Sequence, residues 1–147
     1  MSESLSILVV DDSSADLMLA REVFSEYHAW VSIETCEGGA QALLRLRDGQ
    51  LPLPDMVILD LNMPGVSGFD VLRQMKEDPL LRPIPVVVLS TSASPADVQR
   101  AYALYANAYM VKTENFTAFL AQVEDLLHFW RHSKSNRRVA ASGEPTA

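Results

Sequence analysis

Three four-residue apolar runs, Ile7-Leu8-Val9-Val10, Met56-Val57-Ile58-Leu59 and Val86-Val87-Val88-Leu89, each end on a polar residue: Asp11, Asp60 and Ser90. Such runs are too short for helices and too apolar for strands with one wet face, so they read as central strands buried on both sides. Between them the apolar period becomes helical. Ser13 and Ser14 are N-cap residue types for a helix through about Tyr27, with Leu17, Ala20 and Phe24 on one face. Ala40, Leu43 and Leu44 mark a short helix, and Val71, Leu72 and Met75 mark another that stops before Pro79. Ser94-Pro95-Ala96-Asp97 opens a fourth, with Ser94 as cap and Val98, Ala101 and Tyr105 at helical spacing. Phe116, Phe119, Leu120, Val123, Leu126, Leu127 and Trp130 keep the same spacing through a fifth. The alternating run Trp30 to Thr35 reads as an edge strand, and Ala108 to Val111 as a last short strand. Five strands alternating with five helices predict an α/β fold, a parallel sheet covered on both faces.

The 147 residues, 48% apolar, suit one domain, at roughly 100–200 residues per domain. We expect that domain over residues 1–131, with 132–147 as a disordered basic tail, because no apolar period survives there. A lone cysteine, Cys36, excludes an internal disulfide framework and fits a reducing, cytoplasmic setting. The start, Met1-Ser2-Glu3-Ser4, lacks the basic opening of a signal peptide, and no apolar run approaches the roughly 20 residues of a membrane span. Residues 1–130 carry 8 Lys+Arg against 18 Asp+Glu, a net of −10, whereas 131–147 carry 4 against 1, a net of +3. An acidic body of this kind repels phosphate backbones, so neither nucleic acid nor membrane is an expected partner.

In a doubly wound sheet, ligands bind beyond the carboxyl ends of the strands. Those ends carry Asp11, Asp12, Asp60, Ser90 and Lys112. Two carboxylates ~4 Å apart repel by about 4 kcal/mol at an effective dielectric of 20, so three together need a cation or a shared proton. Strand-end acids that merely cap helices are the plain alternative. With no Cys or His cluster nearby, a hard ion with oxygen ligands, Mg²⁺, is the cofactor expected. The backbone carbonyl of Asn62, just past Asp60, is a further candidate ligand. A carboxylate beside Mg²⁺ and a lysine suits phosphoryl acceptance: Asp60 as nucleophile, Lys112 neutralising the moving oxygens, Ser90 donating a hydroxyl proton.

Four motifs now combine: Val9-Val10-Asp11-Asp12, Asp60-Leu61-Asn62-Met63-Pro64-Gly65 with Gly68, Ile84-Pro85-Val86-Val87-Val88-Leu89-Ser90-Thr91, and Tyr109-Met110-Val111-Lys112. Over about residues 5–131 the chain resembles the receiver domain of two-component response regulators. The resemblance implies a flavodoxin-like sheet of strand order 2-1-3-4-5. It implies Asp60 as phosphoacceptor, Asp11 and Asp12 as Mg²⁺ ligands, Ser90 and Tyr109 as a switch pair and Lys112 as the phosphate-binding lysine. From the residues alone, Tyr109 reads equally as a plain strand aromatic. The chain departs from the pattern at Thr113, where receivers usually carry a proline in a cis peptide; a cis bond before a non-proline would cost ~3–4 kcal/mol.

The stretch Lys76-Glu77-Asp78-Pro79-Leu80-Leu81-Arg82-Pro83-Ile84-Pro85, the run Leu89-Ser90-Thr91-Ser92, the loop prolines Pro52 and Pro54, and Phe129-Trp130 are similar to the single-domain regulators paired with bacterial phytochrome kinases. That narrower likeness implies a histidine kinase partner of the phytochrome photoreceptor type. It also implies a homodimer through the fourth helix, fifth strand and fifth helix, with Phe129, Tyr102 and Tyr105 as contact candidates. A phosphohydrolase with an Asp nucleophile would need a second Asp two residues after the first, and Asn62 stands there. A His-phosphotransfer module would need a helical bundle. A receiver that no longer accepts phosphate would lack acceptor or metal residues, and all are present. The reading is therefore a signalling phosphoacceptor that is not itself an enzyme and acts through protein contacts.

Overall fold

The computed structural model describes residues 4–113 and 115–141. Its backbone divides into two compact units that meet at Lys112 and Thr113.

In the first unit the strands are β1 (Leu5–Asp11), β2 (Val31–Glu37), β3 (Met56–Leu59), β4 (Val86–Ser90) and β5 (Ala108–Val111). All pair in parallel, in the order β2-β1-β3-β4-β5. The helices are α1 (Ser14–Phe24), α2 (Gly39–Leu46), α3 (Gly68–Glu77) and α4 (Pro95–Ala103). The apolar runs occupy the three central strands, and every residue of β3 is buried. Their side chains alternate between the faces. Leu8, Val10, Val57, Leu59, Val86 and Val88 join Leu43, Leu46, Leu72 and Met75 in one apolar cluster. Burying such a side chain contributes about 1.5–3 kcal/mol. The half-polar β2 lies at the sheet edge, as its pattern predicts.

Side chains cap the starts of α1 and α3. Ser13 accepts from the Asp16 N–H at 3.2 Å. Ser67 and Asp70 form a reciprocal capping box at α3. Ser94 stands at the N-cap of α4 but its side chain does not cap. Its N–H donates instead to Ser92 Oγ at 3.2 Å, and Ser92 Oγ donates to Asp97 at 2.6 Å. The expected stripe of α4 also ends early. The Tyr105 N–H donates to the Tyr102 carbonyl and the Ala106 N–H to the Ala101 carbonyl, which closes a Schellman turn. Tyr105 therefore lies past the helix, at φ 68° and 75% exposed. Leu44 likewise faces solvent rather than the core.

The second unit holds α5 (Phe116–Ala141). Asn115 starts it, its side chain accepting from the Ala118 N–H at 3.0 Å. Among its residues of described burial, Phe119, Val123, Leu126, Leu127 and Trp130 are buried and Phe129 is exposed. The tail expected to be disordered from residue 132 is helical through Ala141. A helix already nucleated extends at little cost through Lys, Arg and Ala, which need no apolar period to propagate it. Residues 142–147 of that tail lie outside the described residues. Thr113 follows Lys112 without the cis bond that receivers usually place there.

Candidate functional site

Strand register assembles the site from distant segments. Val10 pairs with Leu59, Leu59 with Val88, and Ser90 with Val111. One residue on, the Asp60 N–H donates to the Val10 carbonyl at 3.0 Å, and the Lys112 N–H to the Ser90 carbonyl at 2.6 Å. Asp11, Asp60, Ser90 and Lys112 thus leave the sheet at one rim. Gly68 draws α3 against it. The Gly68 N–H donates to the Leu61 carbonyl at 3.0 Å. A methyl group there would overlap the Asp60 carbonyl oxygen and come within 2.6 Å of Leu61 Cα.

Asp11 and Asp60 are buried, at 5% and 6% exposure, and Asp12 is exposed. Carboxylate oxygens of all three lie within 4.8 Å of one another. Asp11 does act as a local cap, accepting from the Ser13 N–H at 2.9 Å, but its other oxygen takes the Lys112 ammonium at 2.6 Å. Lys112 Nζ also lies 2.9 Å from Asp16 and 3.9 Å from Asp60. One ammonium therefore faces Asp11, Asp16 and Asp60, with Asp12 beside Asp11 and Asp60; against these four carboxylates it leaves three negative charges in excess when all are ionised. Burial pushes the Asp60 carboxyl up to about 6; Lys112 and the Asn62 N–H pull it back, and Asp11 and Asp12 push it further. For Lys112, burial alone would lower the ammonium. Hydrogen bonds to Asp11 and Asp16, with the charges of Asp11 and Asp60, outweigh it and hold the group above its ordinary value. An all-oxygen donor set with uncompensated negative charge fits a hard divalent cation.

Ser90 is fully buried, and Asn62 Nδ2 donates to its hydroxyl at 3.4 Å. The Ser92 N–H donates to the same hydroxyl at 3.2 Å. Tyr109, half-buried against the core, donates its hydroxyl proton to the Ser92 carbonyl at 2.7 Å. Ser92 thereby ties Ser90, Tyr109 and the first turn of α4 together. Neither Ser92 nor Asp16 ends a strand, so reading the strand ends alone passes over both. The acidic first turn of α1 was the available signal for Asp16.

Residues 7–124 match the family model of the response regulator receiver domain. The chain belongs to that family. It is 42% identical over 127 residues to the probable methanogenesis regulatory protein FilR2 of Methanothrix harundinacea, covering 84% of this chain and 82% of that one. It is 36% identical over 128 residues to the response regulator Rcp1 of Synechocystis, covering 84% and 87%. The crystal structure of Rcp1 in its Mn²⁺-bound form superposes with a TM-score of 0.79 at 35% identity, over 86% of this chain and 94% of that one. The phosphorylated cyanobacterial phytochrome response regulator RcpA superposes with a TM-score of 0.83 at 34% identity, over 88% and 96%. The flavodoxin-like fold expected from the receiver motifs is the one observed. No helix among the described residues is long and apolar enough to cross a membrane.

Proposed function

We propose that this receiver is a phosphoacceptor response regulator of a two-component system, in which Asp60 takes a phosphoryl group from the phosphohistidine of a histidine kinase. One observation carries the reading: the buried Asp60 carboxylate stands 3.9 Å from the Lys112 ammonium at the mouth of the sheet. With its carboxyl at about 6, Asp60 is mostly ionised at pH 7 and available as a nucleophile. An Asp60 oxygen attacks phosphorus, the P–N bond breaks, and the ring nitrogen leaves as neutral imidazole once solvent protonates it. Lys112 neutralises a phosphoryl oxygen, and the Ser90 hydroxyl donates to another. Asp11, Asp12, Asp60 and the Asn62 backbone carbonyl would hold Mg²⁺. When bound, that ion supplies positive charge to the transferring oxygens. In the loaded state Ser90 turns to the phosphoryl group, the Ser92 N–H loses its acceptor, and the Ser92–Tyr109 contact shifts between two populations.

The kinase we propose is a phytochrome-type photoreceptor, on the support of the names of RcpA and of a further similar structure, a regulator in red light signalling of R. palustris at 32% identity. Output passes through protein contacts in the cytoplasm. Exposed Tyr102, Tyr105 and Phe129 support a homodimer that uses the fourth helix, fifth strand and fifth helix. The test is phosphotransfer from purified kinases, one phytochrome-type and one not. Label on the parent should need Mg²⁺, be released by hydroxylamine and vanish in Asp60→Asn. Equal label on that variant overturns the acceptor, and faster transfer from the second kinase overturns the photoreceptor link. Sedimentation that finds the parent monomeric overturns the dimer; Phe129→Asp should dissociate one that forms.

A further inference from the structure

Lys112 has three N–H donors and three carboxylates within reach. Asp11 takes the ammonium at 2.6 Å and Asp16 at 2.9 Å, while Asp60 lies 3.9 Å away. Asp16 differs from the other acids of the rim. It sits in the first turn of α1, where the helix dipole favours a carboxylate and the Ser13 cap accepts from its own N–H. It is not one of the three acids whose oxygens converge within 4.8 Å, so it touches the lysine without belonging to the candidate metal set. Its side chain is 40% exposed, against 8% for Asp11 and Asp60.

Asp11 and Asp16 together occupy two of the three ammonium donors on the side of β1 and α1. A phosphoryl group on Asp60 needs that ammonium. Asp11 is buried and also bonded to the Ser13 N–H, so it is held in place. Asp16 is the half-exposed partner, the contact that solvent can replace most readily. We propose that Asp16 is a positioning residue that restrains Lys112, holding its ammonium off Asp60 until a phosphoryl group draws it away. The inference rests on reading Asp60 as the phosphoacceptor. Asp16 thereby sets how readily the switch closes, without touching phosphate or metal itself.

The test is Asp16→Asn in the full chain, with Asp16→Glu beside it. Beryllofluoride with Mg²⁺ serves as the phosphoryl mimic. Loss of a half-exposed ion pair should tighten mimic binding about two- to fivefold, and Asp16→Glu should restore the parent affinity. The second readout needs neither mimic nor metal: the ¹⁵Nζ resonance of Lys112 and the ¹³C carboxyl resonance of Asp60. Both should move in Asp16→Asn and return in Asp16→Glu. A merely structural role, loss of a favourable charge at α1, would lower the melting temperature and leave both resonances in place. Unchanged or weaker mimic binding by Asp16→Asn overturns the restraint, whether or not the resonances move. If the parent itself takes up no mimic, the phosphoacceptor reading fails instead; the resonances then decide the Asp16 contact, and an unmoved Lys112 signal overturns it.

Discussion

The two ends of the same sheet use the same residue types to opposite purpose. At the amino ends, Asp55 accepts from the Ser6 N–H at 2.8 Å while its own N–H donates to the Ser6 carbonyl at 2.8 Å. Asn107 does the same with Val86, at 2.9 and 2.8 Å. Each side chain closes the ladder where the neighbouring strand runs out, and each polar group is matched locally. At the carboxyl ends, Asp11, Asp16 and Asp60 share the ammonium of Lys112, Asp12 adds a further carboxylate beside Asp11 and Asp60, and the Asp60 carboxyl is pushed up to about 6. Polar residues that satisfy their neighbours build the fold. Polar residues left in excess mark where a ligand completes the charge balance.

Four substitutions sharpen that contrast, and the largest effect falls on the rim. Gly68→Ala should cost about 3–5 kcal/mol, because its methyl has no room beside the backbone of Asp60 and Leu61. Chemical denaturation checks this; a loss under 1 kcal/mol would mean that α3 slides freely.

Asp60→Asn should act in the other direction. A carboxyl near 6 in the folded chain and 3.8 in the unfolded one favours the protonated folded state. Its ionisation therefore opposes folding above pH 6, by up to about 2–3 kcal/mol. The penalty fades as pH falls from 6 towards 4. The variant should accordingly be the more stable at pH 7.5, with the gap narrowing on acidification. Melting curves across that range test the sign, and a variant less stable than the parent at pH 7.5 contradicts it.

Asp55→Ala, at the quiet end, should destabilise by about 1–3 kcal/mol through the unpaired Ser6 N–H. Phosphorylation should be unchanged in rate under conditions where the variant is folded. A selective loss of phosphorylation in the folded variant would dissolve the distinction between the two ends. The smallest effect belongs to Tyr105→Gly. Glycine takes a φ of 68° without steric cost, so this change should stabilise by about 0.5–1 kcal/mol. A melting temperature that falls would show that the exposed tyrosine ring holds the turn.

Much of this was legible in the order of residues. Apolar runs that stop on Asp11, Asp60 and Ser90 mark buried parallel strands and their functional ends, because backbone pairing forces neighbouring strand ends onto one rim. Phe129 falls off the α5 stripe and is exposed, while Trp130 falls on it and is buried. The end of α4 was not legible. Tyr105 continues the spacing of Val98 and Ala101, and no glycine or asparagine announces the left-handed turn that lifts it out. Ser94 has the right residue type and place for a cap, yet Ser92 takes up its N–H. The α5 backbone beyond residue 131 was misread because an apolar period reports burial, not helicity.

Local pattern was thus enough for the number of strands, their parallel pairing and the acids and lysine at their ends, since periodicity and strand termini are properties of neighbours in the chain; the strand order was implied by the resemblance to receivers. The pairing of charges required the folded chain. Asp16 and Lys112 are 96 residues apart, and nothing in either local sequence selects the other. Register and the first turn of α1 bring them to 2.9 Å. Electrostatic energy depends on distance through space, so which acid holds the lysine, and how far it stands from Asp60, is settled by packing.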